Sequence, residues 1–189
     1  ALAREITAAH DAGDPFRVNV WTGASTAPEL DGALAAADLV HRDPASGTIS
    51  VAYPFSGRPT AHQVELAGGP AVFAMCAIDA LGIPQMLGRD AHISSSDPVG
   101  GQPISVEVHH GAWRFMPPST VVLEGRIAAG TAGGAVADCC CPHINFHLDR
   151  AAADAYRQAH PGMTARLLNQ AEAVTAAGRA FGSLLNQSN

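Results

Sequence analysis

Lysine is missing from this chain, and all eleven of its basic residues are arginine, set against 17 acidic ones for a formal net charge of −6. No stretch is strongly basic, which argues against nucleic acid as a partner. The missing lysine, beside abundant alanine and glycine, reflects coding bias and carries no chemistry. No run of eighteen or more apolar residues exists, which argues against a membrane-spanning helix. The opening Ala1-Leu-Ala-Arg-Glu-Ile lacks the basic-then-apolar build of a secretory signal, so a cytoplasmic location is expected. There are only four cysteines, and three of them, Cys139, Cys140 and Cys141, are consecutive. Disulfide frameworks spread their cysteines along the chain, so free thiols are expected.

What is present is 189 residues with 47% hydrophobic content, enough for one core, or one core and a small lobe. Residues 1–12 and 29–41 read as helices, the second from the spacing of Leu30, Leu34 and Leu39. A turn at Asp43-Pro-Ala-Ser-Gly precedes strand-like Thr48 to Tyr53, a Ser56-Gly-Arg-Pro turn and Ala61 to Leu66. Helix followed by hairpin suggests a small winged-helix-like lobe over 1–67, with Gly68-Gly-Pro as the boundary. Ala71 to Leu81 reads as an apolar helix stopped by Gly82-Ile83-Pro84. Strands are expected at Pro103 to Val108, Ser119 to Ile127 and Ala135 to Leu148. Helices are expected at 151–159 and 164–185. The expected fold is α+β, a mixed or antiparallel sheet core flanked by helices.

Two clusters could carry chemistry. Cys76 and Asp79 stand three apart, hence on one helical face. A buried cysteine is usually a small core hydrophobe, but a carboxylate interrupting an apolar helix is costly without a role or a partner. In Cys139-Cys-Cys-Pro-His-Ile-Asn-Phe-His, strand alternation puts Cys139 and Cys141 with the polar set and Cys140 with the core. Cys141 is the preferred functional thiol. Structural zinc ranks below a soft-metal thiol site, because no second pair of ligands at the usual spacing exists. The other histidines, His109 and His110 among them, read as solvated. Ser94-Ser-Ser-Asp reads as a turn without the context of a serine nucleophile.

The segment Met75-Cys-Ala-Ile-Asp-Ala-Leu-Gly-Ile-Pro-Gln-Met-Leu-Gly-Arg, then Ile93-Ser-Ser and Cys141-Pro-His-Ile-Asn-Phe, resembles the alkylmercury lyase (MerB) family. The resemblance runs from about Leu34 onward, with a shortened N-terminal lobe and a catalytic core over 68–189. Three departures stand out: the cysteine run ahead of Cys141, Pro142 where a second thiol is common, and Asp97 where some members have a structural cysteine. The resemblance implies a lyase that needs no cofactor and cleaves the carbon–mercury bond of alkyl or aryl mercury compounds by protonating the carbon. Its catalytic residues would be Cys76, Asp79 and Cys141. Cys76 and Cys141 would hold the Hg(II) product, with Cys139 or Cys140 as an accessory thiol. In that scheme Cys76 attacks first, Asp79 takes its proton, Cys141 adds, and Asp79 protonates the carbon. An external thiol or a mercuric reductase would collect Hg(II). The competing readings are a non-catalytic mercury or copper binder and a winged-helix regulator, the latter opposed by the acidic balance.

Overall fold

The computed structural model describes residues 35–36, 38–127 and 136–182. The expected helix at 1–12 and most of the one at 29–41 lie outside the described residues. Val40 and His41, placed in the second helix by the sequence, are in a strand instead.

Eight strands form one antiparallel sheet: β1 (Val40–Arg42), β2 (Ile49–Ala52), β3 (Phe55–Ser56), β4 (Gln63–Leu66), β5 (Ala71–Ala74), β6 (Ala91–Ser96), β7 (Pro103–His109) and β8 (Ala112–Met116). Their order is β1-β2-β3-β5-β4-β6-β7-β8. A second antiparallel sheet, ordered β10-β9-β11, contains β9 (Val121–Ile127), β10 (Ile144–His147) and β11 (Met163–Leu168). Among the described residues, four helices accompany them: α1 (Ala77–Leu87), α2 (Val136–Cys139), α3 (Arg150–Ala159) and α4 (Gln170–Phe181). A 3-10 turn spans Cys141–His143. The α+β class is as expected, with every strand pairing antiparallel.

Several elements differ from the sequence reading. β2 does not pair with β4; the two-residue β3 and then β5 lie between them. Gly68, expected at a lobe boundary, lies between β4 and β5, which pair as a hairpin, and strands on both sides of it share one sheet. Ala71–Ala74 is a strand because Val72 and Ala74 alternate inward and its backbone completes the ladder between β3 and β4. The apolar helix therefore begins only at Ala77. It also runs through Gly82 and Pro84 to Leu87, closed by Gly88 in the left-handed conformation at φ 62°. Residues Ala77 to Pro84 are all buried, so packing on every side holds the helix together against the loss of one backbone donor at Pro84. A Cβ at Gly82 would strike the ring of Phe181, which is what lets α1 and α4 pack so closely.

Thr164 to Leu168, read as helix, is β11, because its residues pair with β9 from Met163↔Ile127 to Leu168↔Val122. The helix starts after Asn169, whose side chain accepts from the Glu172 N–H while the Glu172 carboxylate accepts from the Asn169 N–H. The expected long strand over Ala135 to Leu148 is broken into α2, the 3-10 turn and a four-residue β10. Ser94 to Ser96 continue strand β6 and do not form a turn; the turn begins at Asp97.

The main core gathers Phe55, Val64, Leu81, Ile83, Ile93, Val106, Val122 and Phe146 between the large sheet, α1 and α4, and it includes Cys76 and Cys141. Cys76 and Cys141 thus sit inside the main core.

Candidate functional site

Cys76 terminates the chain leaving β5 and is the N-cap of α1, with extended backbone at φ −154° and ψ 179°. Its Sγ accepts from the Asp79 N–H at 3.5 Å, the capping interaction usually made by serine or aspartate. That geometry places Asp79 in the first helical turn, one turn from Cys76 and facing the same way. Cys141 arrives from the opposite side, at the start of the 3-10 turn before β10. The ligand atoms of Cys76, Asp79 and Cys141 all lie within 4.8 Å of one another, and all three residues are buried. The three side chains singled out from sequence therefore converge.

The approach of Cys141 depends on Gly125 in β9. A Cβ there would come to 2.7 Å from the His143 carbonyl oxygen and 2.5 Å from Met163 Sδ. An internal strand glycine often marks such a close backbone approach, and that signal went unused. Tyr53, just beyond β2, was also missed: its hydroxyl is 3.4 Å from Cys141 Sγ. Nothing in the local sequence pointed to it, since the contact joins residues 88 positions apart.

The three groups differ in their readiness to ionise. Burial pushes the Cys76 thiol well above its ordinary range, and hydrogen bonding to Cys141 and the nearby Asp79 charge add to this. Cys141 moves the other way: the hydrogen bond from Cys76 lowers it, burial opposes, and the Tyr53 hydroxyl lowers it further. A thiolate in this site therefore resides on Cys141, held by two donors, while Cys76 stays protonated. The helix N-terminus favours an anion at Cys76 by only about 0.3–1 kcal/mol, too little to offset desolvation. Asp79 is raised from 3.8 to about 7 by burial, against the opposing hydrogen bonds from the Cys76 side chain and backbone. Its Oδ2 is buried without a hydrogen-bond partner. A carboxyl so placed exchanges its proton near neutrality, and one of its oxygens faces the interior unclaimed.

The remaining candidates separate from this trio. Cys139 and Cys140 are half-buried, with Sγ atoms 3.0 Å apart. The assignment of Cys140 to the core and Cys141 to the polar side is reversed, because the helical turns replace the strand alternation that produced it. All four cysteines are thiols. His109 and His110 are exposed as expected, but Asp90 meets them, its Oδ2 lying 2.8 Å from His109 Nδ1 and 4.0 Å from His110 Nδ1. His110 (φ 48°) and Gly111 (φ 80°) form the two-residue β7–β8 turn, held by the His110 N–H donating to Asp90 Oδ1 at 2.8 Å.

Not all the other histidines are solvated. His62 is buried against Phe146, and desolvation lowers it to about 4, so it is neutral. His147 is fully buried, 3.6 Å from Asp97. Asp97 itself accepts from the Val99 and Gly100 N–H groups and, across 51 residues, from Leu148 N–H at 3.0 Å. Burial pushes its carboxyl up, but these donors outweigh it and hold the group below its ordinary value. It thus ties the turn after β6 to the end of β10, the segment that carries Cys141.

Among the described residues, no helix is long and apolar enough to cross a membrane. The profile of the alkylmercury lyase (MerB) family matches residues 55–182. The alkylmercury lyase of Streptomyces lividans is 28% identical over 106 residues, covering 56% of this chain and 48% of that protein. That of Staphylococcus epidermidis is 29% identical over 111 residues, 59% of this chain and 50% of that protein. The chain therefore spans about half the length of the curated relatives it matches. Its fold is similar to that in the crystal structure of the mercury-bound form of MerB2, with a TM-score of 0.72 and 24% identity over 97% of this chain and 88% of that one. With the family profile spanning well over half of its residues, this chain belongs to the alkylmercury lyase (MerB) family.

Proposed function

We propose that this protein cleaves the carbon–mercury bond of alkyl or aryl mercury compounds, releasing a hydrocarbon and leaving Hg(II) on Cys76 and Cys141. The observation that carries the reading is the buried carboxyl of Asp79, raised to about 7, beside two thiols and with Oδ2 unpartnered. A soft-metal binder needs the thiols but has no use for a proton carrier, and burying one is costly.

The electrostatics favour a different order of attack from the one implied by family resemblance alone. Cys141, the more acidic thiol, supplies the first thiolate, and its sulfur bonds to the mercury of the substrate as the halide or thiolate ligand that accompanied the organomercurial leaves. Cys76 then adds as its proton passes to the Asp79 carboxylate. With two sulfurs on the metal, the electron pair of the carbon–mercury bond moves to carbon as Asp79 returns that proton to it. One proton is moved twice, and no electron is gained or lost. A carboxyl near neutrality suits both transfers, since an acid of ordinary strength would not hold the proton and a much weaker one would not release it. Holding the donor within a bond length or two of the carbon can supply about 7–11 kcal/mol of the barrier reduction.

In this reading Hg(II) leaves to an external thiol or a mercuric reductase, no cofactor takes part, and the reaction takes place in the cytoplasm. Gas chromatography of headspace benzene and methane, with phenylmercury and methylmercury as substrates and excess thiol present, tests it. Turnover that is lost in Cys76→Ser and in Cys141→Ser is expected. Tight mercury binding with no hydrocarbon would instead mark a binder.

A further inference from the structure

Cys139 and Cys140 take no part in that chemistry, yet they lie directly before Cys141 in the chain. Burial falls from Cys141, at 4% exposure, to the half-buried Cys140 and Cys139. Their Sγ atoms are 3.0 Å apart, so both reach one small region. Cys140 lines an open groove of about 420 Å³ together with Glu124, Arg126, Thr164 and Arg166. Glu124 is paired with Arg166 at 2.7 Å, which leaves the groove with the net positive charge of Arg126.

Mercury held by two buried sulfurs, Cys76 at 2% and Cys141 at 4% exposure, is out of reach of a bulky external thiol. Exchange of a soft ion between thiolates needs the incoming sulfur to bond before the outgoing one leaves, as in thiol–disulfide exchange. The Cys140 thiol, next to Cys141 in the chain and lining an open groove, is placed to meet that need. We propose that Cys140, assisted by Cys139, is an exit relay that carries Hg(II) from Cys141 and Cys76 to the groove, where a small carboxylate-bearing thiol attracted by Arg126 collects it.

Each step is redox-neutral. The Cys140 sulfur bonds to mercury as the bond to Cys141 breaks, and the Cys140 proton passes to the departing Cys141 sulfur. Cys139 replaces Cys76 in the same way. Two incoming thiols then replace Cys140 and Cys139 and give them their protons. The relay rests on the lyase reading for its supply of Hg(II), but its test does not.

The purified full chain, loaded with one equivalent of mercuric chloride, is challenged with glutathione, and mercury remaining on the protein is followed by rapid gel filtration and elemental analysis. Loss of the intramolecular step should slow release about tenfold in Cys140→Ser. Arg126→Gln should slow release to glutathione while leaving release to uncharged 2-mercaptoethanol unchanged. Release from Cys140→Ser at the wild-type rate overturns the relay, as does failure of that variant to retain one equivalent of mercury. An Arg126→Gln effect equal for both thiols overturns the anionic acceptor. If the wild type makes no hydrocarbon from phenylmercury, the lyase reading fails while this experiment still reads the exit path.

Discussion

Replacing Asp79 by Asn should change the pH dependence of stability in a way that can be worked out from the site. The native carboxyl titrates near 7, whereas the unfolded one titrates near 3.8. Between those values the folded protein holds a proton that the unfolded chain has lost, so raising the pH favours unfolding. The stability contribution of a protonated Asp79 is complete below about pH 4 and is lost by the time the pH passes 7. At 1.36 kcal/mol per pH unit, the whole loss is about 4 kcal/mol. Asparagine is nearly isosteric and does not titrate. Ionising groups that do not feel Asp79, such as His62, whose lowered value acts in the opposite direction, are common to both proteins and cancel; Cys141, which the Asp79 charge raises, ionises more easily in the variant and adds to its gain as the pH rises. Urea unfolding of wild type and Asp79→Asn at several pH values from 4.5 to 8.5 gives the two stability curves. The variant should gain on the wild type from pH 4.5 to about pH 7, by about 3 kcal/mol from Asp79 alone, and keep that gain to pH 8.5. Curves that stay parallel to within about 1 kcal/mol would show that Asp79 ionises as easily when folded as when unfolded, and the argument from burial would be wrong.

Three further outcomes follow from the geometry. Tyr53→Phe removes a donor to the Cys141 sulfur and should raise the pH at which that thiolate forms by up to about one unit, since such a bond is worth about 1–2 kcal/mol; thiolate absorbance near 240 nm in a pH titration reads it. Gly125→Ala forces a methyl group against the His143 carbonyl, a backbone atom that can move only with the Cys141 turn. It should cost about 1–3 kcal/mol and weaken mercury binding together with stability, whereas a change in stability alone would mean that the turn does not depend on this approach. Asp97→Ala strands the N–H groups of Val99, Gly100 and Leu148 and should lower stability by about 3 kcal/mol or more, measured by chemical denaturation. A loss below about 1 kcal/mol would show that water replaces the carboxylate.

Much of the site was legible because its residue types are rare in their settings. An aspartate in an apolar segment and a cysteine three residues before it imply a shared helical face, and the start of α1 brings them together with Cys76 as its N-cap. The exact cap was not legible, because Ala71 to Ala74 is as compatible with a helix as with a strand until the flanking strands are known. Pro84 looked like a stop signal, yet complete burial of α1 overrides the local cost. Thr164 to Leu168 alternates well enough to pair with β9, but the pattern merges with the helix that follows; Asn169 with Glu172 three residues later was the readable boundary. The cysteine run misled most. Continuous alternation through Pro142 assigned Cys140 to the core, while two short helical turns put Cys141 there. Tyr53 and Asp97 act through contacts between distant parts of the chain, which no local pattern reveals, whereas Gly125 carried the readable signal of a glycine inside a strand.

Proton delivery by Asp79 is tested most directly by a single-turnover reaction of phenylmercury with Asp79→Asn, both thiols intact and excess thiol present. The variant is expected to bind one equivalent of mercury as the wild type does, yet release benzene slower by about 10²-fold or more. Benzene released at the wild-type rate from the asparagine variant would contradict the account.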